Sequence, residues 1–212
     1  MTNSLTTYRR RGGAALLAGA ALNAAACIVS VVSTANTHVP SDLARAPMTH
    51  DTAIVVYVLA AMAEALLVIG LVWLQRSGLP QARAIRIGLV AAVAGTALLA
   101  VCNAASIPIE DQLNTSTAAG WVWSGFGVGS LLAAFGMLAA GVSISAHAVE
   151  PTWRDHAPLV CGLLSLLLIM FQIANIIWLA ILIYAAGYAV LGAAMLTATA
   201  TGTRRQAVAQ PA

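Results

Sequence analysis

The chain has 212 residues, of which 60% are hydrophobic and only 8% are charged, and its mean hydropathy is +0.88. A soluble domain of this size cannot bury so much apolar surface, so the composition excludes a soluble globular protein and favours an integral membrane protein. The net charge of +3 does not indicate nucleic-acid binding, because the arginines occur in small groups beside apolar segments, without interleaved aromatic residues.

Apolar segments of transmembrane length follow one another along the chain. A membrane-spanning helix needs about 20 apolar residues, and the last apolar segment, 157–199, is roughly twice that length. We therefore expect a turn near residues 172–177 that divides it into two helices. The predicted helices cover residues 13–34, 52–74, 86–107, 119–145, 157–172 and 177–199. The sequence thus predicts an all-α fold, a single domain over residues 1–212 built as a bundle of six transmembrane helices.

The arginines indicate how this bundle is oriented. The chain has ten arginines and no lysine, and nine of the ten lie before the first helix, in the even-numbered connections or after the sixth helix. Only Arg45 lies in an odd-numbered connection. By the positive-inside rule this distribution predicts that both termini are cytoplasmic. The alanine-rich, lysine-free composition is typical of a GC-rich bacterial genome, so we expect a multi-pass protein of the bacterial plasma membrane, with the lipid bilayer as its partner.

Glu64 is the most informative residue, because it lies near the middle of the second predicted helix. An ionised carboxylate at that depth costs at least about 2.5 kcal/mol. The chain must supply a partner or a polar cavity, or keep the acid protonated. Asn23 lies near the middle of the first helix, and Tyr57 lies two turns from Glu64 on the same helix face. Two interpretations follow: Glu64 joins two helices through Asn23, or it is a functional acid that protonates a substrate.

A second group of polar and aromatic residues is predicted near the outer ends of the helices. The residues expected to bind substrate, together with Asn23 and Tyr57, are Asn103, Trp121, Trp123, Gln172, Asn175, Trp178 and Tyr184. The acids Glu110 and Asp111 lie in the connection beside them. The alternative interpretation is an aromatic belt at the membrane surface with a solvated turn, which accounts for the tryptophans.

Two groups of histidines and acids are candidates for metal ligands. They are His38, Asp42, His50 and Asp51 in the first connection, and His147, Glu150, Asp155 and His156 before the fifth helix. Neither group has a spacing typical of metal ligands, so a solvated loop is favoured in both cases. We therefore expect no metal and no cofactor.

The segment AAMAEALLVIG around Glu64, with the size and helix number of the chain, resembles the small membrane-integrated bacterial terpene cyclases. Those enzymes share a multi-helix bundle and an acid in the second helix. The resemblance implies an enzyme that acts on a hydrophobic isoprenoid or lipid-like substrate and starts cyclisation by protonating it. Glu64 would be the acid, with Asp111 or Glu110 as a second carboxylate, although the second acid lies in a loop here. The aspartate-rich metal-binding motif of the soluble cyclases does not occur in the sequence.

Two other kinds of function remain open from the sequence. One is a small proton-coupled transporter, although all seven prolines are predicted in loops or at helix ends, so no broken helix is indicated. The other is an accessory or structural membrane protein without catalysis, as the chain also resembles uncharacterised six-helix bacterial membrane proteins. An enzyme should enclose a cavity beside Glu64, whereas an accessory protein should pack Glu64 against Asn23. The sequence predicts no particular oligomeric state.

Overall fold

The computed structural model describes residues 2–34, 39, 41–45, 47–79, 82–148, 152–173 and 177–208, with helical side chains described between residues 5–170 and 178–197. The helices are α1 (Thr2–Thr34), α2 (His50–Gln75), α3 (Arg83–Ser106), α4 (Thr117–His147), α5 (Trp153–Ile173) and α6 (Ile177–Val208). A short 3₁₀ turn, Ile107–Ile109, follows α3. All six α-helices are long and apolar enough to cross a membrane, which confirms the prediction of an all-helical chain with six candidate spans.

The helices extend beyond the predicted spans, chiefly into polar residues at their ends. The largest difference is in α1, which begins at Thr2 rather than at residue 13 and has 33 residues. A helix of that length reaches about 50 Å, well beyond an apolar core of about 30 Å. α5 also begins early, so the prediction that every proline lies in a loop or at a helix end is wrong for Pro158. Pro158 removes one backbone hydrogen bond without interrupting the helix.

The six helices form a closed ring. Each helix packs against the next one in the chain, and α1 packs against α6, while α2 and α6 also touch across the ring. Neighbouring helices run in opposite directions, as shown for α1 and α2 by the contacts of Gly12 with Trp73 and of Gly19 with Ala63. α1 therefore begins, and α6 ends, at the same end of the bundle, here called the terminal end. The opposite end, here called the loop end, contains the first connection and the segment 107–116.

Small residues set the spacing between α3 and α4. A Cβ atom added to Gly95 would lie 2.4 Å from the backbone nitrogen of Ala133, and one added to Gly88 would lie 2.6 Å from the carbonyl oxygen of Gly136. Such approaches are possible only without a side chain, as expected where no hydrophobic effect drives helices together. Gly127 of α4 differs, because a Cβ atom there would meet nothing within 4 Å.

The outside of the ring is apolar. Large apolar side chains on every helix face outward and are at least one-third exposed; examples are Val32, Met62, Val101, Phe135 and Leu163. The buried polar residues, by contrast, include Asn23, Glu64 and Thr96, which lie in the middle parts of α1, α2 and α3. This inside-out distribution is typical of a bundle surrounded by lipid, with its polar groups satisfied internally.

Candidate functional site

Glu64 lies where α1, α2 and α6 meet, and it is only 4% exposed. The amide nitrogen of Asn23, on α1, donates a hydrogen bond of 3.1 Å to Glu64 Oε1. The hydroxyl of Tyr184, on α6, donates one of 2.9 Å to Glu64 Oε2. We call these three residues the Glu64 junction. The predicted contact between Glu64 and Asn23 is confirmed, and Tyr184 is an additional partner on a third helix.

Close packing fixes the position of the junction on one side. A Cβ atom on Gly19 would lie 2.8 Å from the carbonyl oxygen of Ala63, the residue next to Glu64. The same atom would lie 2.7 Å from Leu67, which is fully buried one turn further along α2. The α1 and α2 backbones therefore touch beside the junction, and this contact sets how far Asn23 can be from the carboxyl group.

A second hydrogen-bonded pair continues the polar interior toward α3. The hydroxyls of Thr96 and Tyr188 are 3.3 Å apart, and Thr96 also bonds the Ala92 carbonyl oxygen at 2.9 Å. Since a threonine hydroxyl has one hydrogen and gives it to Ala92, Tyr188 must donate to Thr96. The rings of Tyr184 and Tyr188 meet edge to face, with centroids 4.8 Å apart. Polar and aromatic groups thus connect four of the six helices through the bundle interior.

Glu110 and Asp111 belong to a separate cluster at the loop end. Glu110, whose side chain is 4% exposed, pairs with Arg45 at 3.3 Å and with His50 Nδ1. Asp111, which is 61% exposed at its side chain, pairs with the same two residues. The backbones of the two connections also pair, through hydrogen bonds from Ala44 to Gln112 and from Arg45 to Glu110. We call this group the loop-end cluster.

The two sites are not one pocket. His50 and Glu64 are 14 positions apart on α2, which places them about 21 Å apart along the helix axis. His50 contacts Glu110, so the loop-end acids lie far beyond hydrogen-bonding distance of Glu64. Tyr57 also belongs to the loop end, because its hydroxyl donates to the carbonyl oxygen of Ala44 at 3.4 Å. An arrangement in which Glu64 and a second carboxylate act on the same atom does not fit this geometry.

Among the other residues predicted to bind substrate, the described tryptophans lie toward the outside of the ring. Trp121 and Trp178 point outward and are 76% and 50% exposed, and Trp123 stacks on Phe126 with ring centroids 5.7 Å apart. These orientations fit the aromatic-belt interpretation better than an enclosed pocket. Asn103 is half-buried and donates to the Leu99 carbonyl oxygen of its own helix. Asn175 and the side chain of Gln172 lie outside the described residues.

One group among the described side chains has the spacing of metal ligands. His50, Glu110 and Asp111 each offer a ligand atom, and these atoms lie within 4.8 Å of one another. Residue spacing groups His50 with Asp42 and Asp51 instead, because pairing across two connections is not visible in the sequence. Arg45 already places its guanidinium against both carboxylates, so the positive charge that a metal ion would bring is supplied by the chain.

Residue spacing gave no signal for Thr96, since a lone threonine in an apolar helix usually bonds its own backbone. Its second partner, Tyr188, is 92 positions away. The fold defines the class of protein as a bundle of six helices, each long and apolar enough to cross a membrane. Comparison with known proteins adds no relative, because no family model, curated protein or solved structure matches the chain at a significant level.

Proposed function

We propose that this chain is an integral membrane protein of the accessory or structural kind, in which Glu64 joins three helices and performs no chemistry. One observation carries the proposal: both oxygens of the Glu64 carboxyl group accept hydrogen bonds from side chains of two other helices, in an almost fully buried setting. Intramembrane carboxylates need such partners, because an unpaired one is costly in an apolar interior.

The two hydrogen bonds of Glu64 contribute little to the free energy of unfolding, but they form only when the three helices are correctly oriented. A hydrogen bond between transmembrane helices contributes on average about 0.6 kcal/mol and at most about 1.7 kcal/mol. The two bonds of Glu64 therefore contribute roughly 1–3 kcal/mol, and they do so only when α1, α2 and α6 have the correct rotation and depth. Removing the Glu64 carboxyl group would leave the Asn23 amide and the Tyr184 hydroxyl buried without an acceptor. This loss costs more than the hydrogen bonds themselves contribute.

A general acid needs different surroundings. It must come within hydrogen-bonding distance of the substrate atom that it protonates. Here the protein occupies both oxygens of Glu64, and the close contact of Gly19 with Ala63 and Leu67 blocks one side of the junction. The arrangement therefore favours a role in helix packing over a role in catalysis.

The second candidate is the acid-initiated enzyme, acting on an isoprenoid or lipid-like substrate. One observation favours it: the rings of Tyr184 and Tyr188 adjoin each other and the first of them bonds the acid. Aromatic faces attract cations. In such a reaction Glu64 would give its proton to a carbon of a double bond, and the tyrosine rings would face the resulting carbocation. Among the described residues, Glu64 would then be the only carboxyl group at the site, because the loop-end acids are remote.

Turnover measured in membranes distinguishes the two candidates. Membranes that contain the wild type, Glu64→Gln or Tyr57→Phe are incubated with farnesyl and geranyl substrates, and products are identified by gas chromatography and mass spectrometry. Tyr57→Phe is the matched control, since it removes a buried hydroxyl at the loop end. The accessory role predicts no product above that of empty membranes for any variant. Product formed by the wild type and by Tyr57→Phe, but lost in a folded Glu64→Gln, would establish the enzyme instead.

We also propose the bacterial plasma membrane as the location, with the terminal end in the cytoplasm. The sorting of nine of the ten arginines to that end supports this orientation. Arg45, the single exception, is paired with Glu110 and Asp111 in the loop-end cluster. The two carboxylates offset the positive charge of Arg45, so this arginine counts little against the proposed orientation.

A further inference from the structure

Two arginines share one tryptophan at the terminal end of α1 and α2. The guanidinium carbon of Arg11 lies 6.0 Å from the centroid of the Trp73 ring, and that of Arg76 lies 5.7 Å from it. Because both guanidinium carbons lie near the same ring, the two groups are also close to each other, separated by at most the sum of these two distances. Tyr8 stacks on the same ring at a centroid distance of 5.2 Å. We call Tyr8, Arg11, Trp73 and Arg76 the Trp73 cluster.

Among the residues that the structure describes, no carboxylate forms an ion pair with this cluster. Arg9 adjoins it and donates from Nε to the Ser77 carbonyl oxygen at 3.2 Å, and Arg10 is its neighbour in sequence. The ion pairs of Arg45 and His50 with Glu110 and Asp111 lie at the opposite end of the bundle, so they do not offset the charge of Arg9, Arg10, Arg11 and Arg76. Concentrated like charges of this kind repel one another, so an anion from outside the chain would lower their energy.

The helices hold the cluster in a fixed geometry. A Cβ atom on Gly12 would lie 2.8 Å from Cβ of Trp73, so α1 and α2 are in close contact directly beside the two guanidinium groups. A guanidinium group stacked near an indole ring keeps its N–H groups available, and these match the oxygens of a phosphate group. Tryptophan and tyrosine side chains are also enriched at the level of the lipid headgroups.

We propose that the Trp73 cluster binds the phosphodiester headgroup of an anionic phospholipid. Arg11 and Arg76 donate to the phosphate oxygens. Ile69, one turn before Trp73 on the same helix and 46% exposed, offers apolar surface to an acyl chain. This adjacent apolar surface favours a lipid over a soluble phosphate. The inference stands apart from the accessory role, because it uses none of the residues of the Glu64 junction.

Lipid titration of the full-length protein tests the site. The wild type in detergent micelles is titrated with dioleoyl phosphatidylglycerol or with dioleoyl phosphatidylcholine, and bound lipid is counted by native mass spectrometry. The variants are Arg11→Gln, Arg76→Gln, and Arg83→Gln as the matched control. Arg83 is an exposed arginine at the same end, on α3. Each arginine near an anionic surface contributes about 1 kcal/mol, so Arg11→Gln and Arg76→Gln should each weaken phosphatidylglycerol binding about fivefold.

The control should bind phosphatidylglycerol as the wild type does, and phosphatidylcholine should bind more weakly to all proteins. An equal loss in Arg83→Gln would overturn the proposal in favour of general surface charge. Competition by inorganic phosphate at the concentration of the lipid would also overturn it, since the site would then select a soluble anion. If a glutamine variant does not fold, Arg76→Lys replaces it. Lysine keeps the positive charge but lacks the planar set of N–H donors of a guanidinium group. Unchanged lipid affinity in Arg76→Lys would refute recognition of the headgroup by the guanidinium geometry.

Discussion

Gly95 and Gly127 provide a matched pair for testing how the helices pack. Both lie within long helices, α3 and α4, and the change to alanine adds one methyl group in each case. At Gly95 the new carbon would lie 2.4 Å from the Ala133 nitrogen and 2.6 Å from the Gly129 carbonyl oxygen. At Gly127 it would meet nothing within 4 Å. The two substitutions therefore have the same chemistry but opposite packing consequences.

The magnitudes follow from these distances. Relief of the contacts at Gly95 requires a shift of the α3 or α4 backbone, because the clashing atoms are not the ends of flexible side chains. Overpacking of this kind costs about 1–3 kcal/mol. Alanine is favoured over glycine within a helix by about 1 kcal/mol, which offsets part of that cost at Gly95 and acts alone at Gly127. We expect Gly95→Ala to be less stable than Gly127→Ala by roughly 1–3 kcal/mol.

The assay is reversible unfolding of the purified protein by sodium dodecyl sulfate in mixed micelles, followed by circular dichroism. Gly127→Ala should unfold at the same or a slightly higher detergent fraction than the wild type, and Gly95→Ala should unfold at a clearly lower fraction than Gly127→Ala. Equal midpoints for the two variants would refute the close α3–α4 contact. A lower midpoint for Gly127→Ala alone would instead indicate that Gly127 packs against something that this ring does not contain.

Three further predictions follow from other contacts. Arg45→Gln should lower stability by about 1–3 kcal/mol in the same assay, because it removes a charged partner of the buried Glu110 carboxyl, while Asp42→Asn, at an exposed position, should have no effect. Cysteine placed at Asp42 should react with a membrane-impermeant maleimide added to whole cells, and cysteine placed at Arg83 should not. Wild-type cells provide the background, because the native cysteines are buried. Reaction at position 83 but not at position 42 would show the opposite orientation. Asn23→Leu should lower stability by about 1–3 kcal/mol, because it leaves the buried Glu64 Oε1 without its donor. Ser106→Ala, which removes only a bond within α3, should cost less, and equal losses would contradict a special role for the interhelical bond.

The sequence was sufficient for the helix count and for one contact of the site. Apolar length alone predicts six spans, because the backbone hydrogen bonds of a lipid-embedded helix are all local. The pair of Asn23 and Glu64 was predictable for a similar reason: both are polar residues at mid-depth on helices joined by one connection. Helix ends were less predictable, since the residues of α1 before position 13 extend the helix beyond any apolar segment.

The remaining contacts depend on ring closure, which residue spacing does not encode. Tyr184 is 120 positions from Glu64, and it reaches the carboxyl group only because α6 returns to pack against α1 and touches α2. The same reason explains why Glu110 and Tyr184 could not be separated into two sites from the sequence. Both are predicted toward the outer half of the bundle, but Glu110 lies directly after the 3₁₀ turn that follows α3, whereas Tyr184 lies two turns inside α6.

The most direct test of the central claim is a double-mutant cycle between Glu64 and Tyr184. The unfolding free energies of Glu64→Leu, Tyr184→Phe and the double variant are compared with that of the wild type in mixed micelles, because leucine, unlike glutamine, cannot accept the Tyr184 hydrogen bond. If Glu64 joins the helices, the two positions should be coupled by about 0.6–1.7 kcal/mol. The same cycle between Glu64 and Tyr57, about 10 Å apart along α2, should give additive effects. Additivity between Glu64 and Tyr184 would contradict the junction and leave the carboxyl group free for another role.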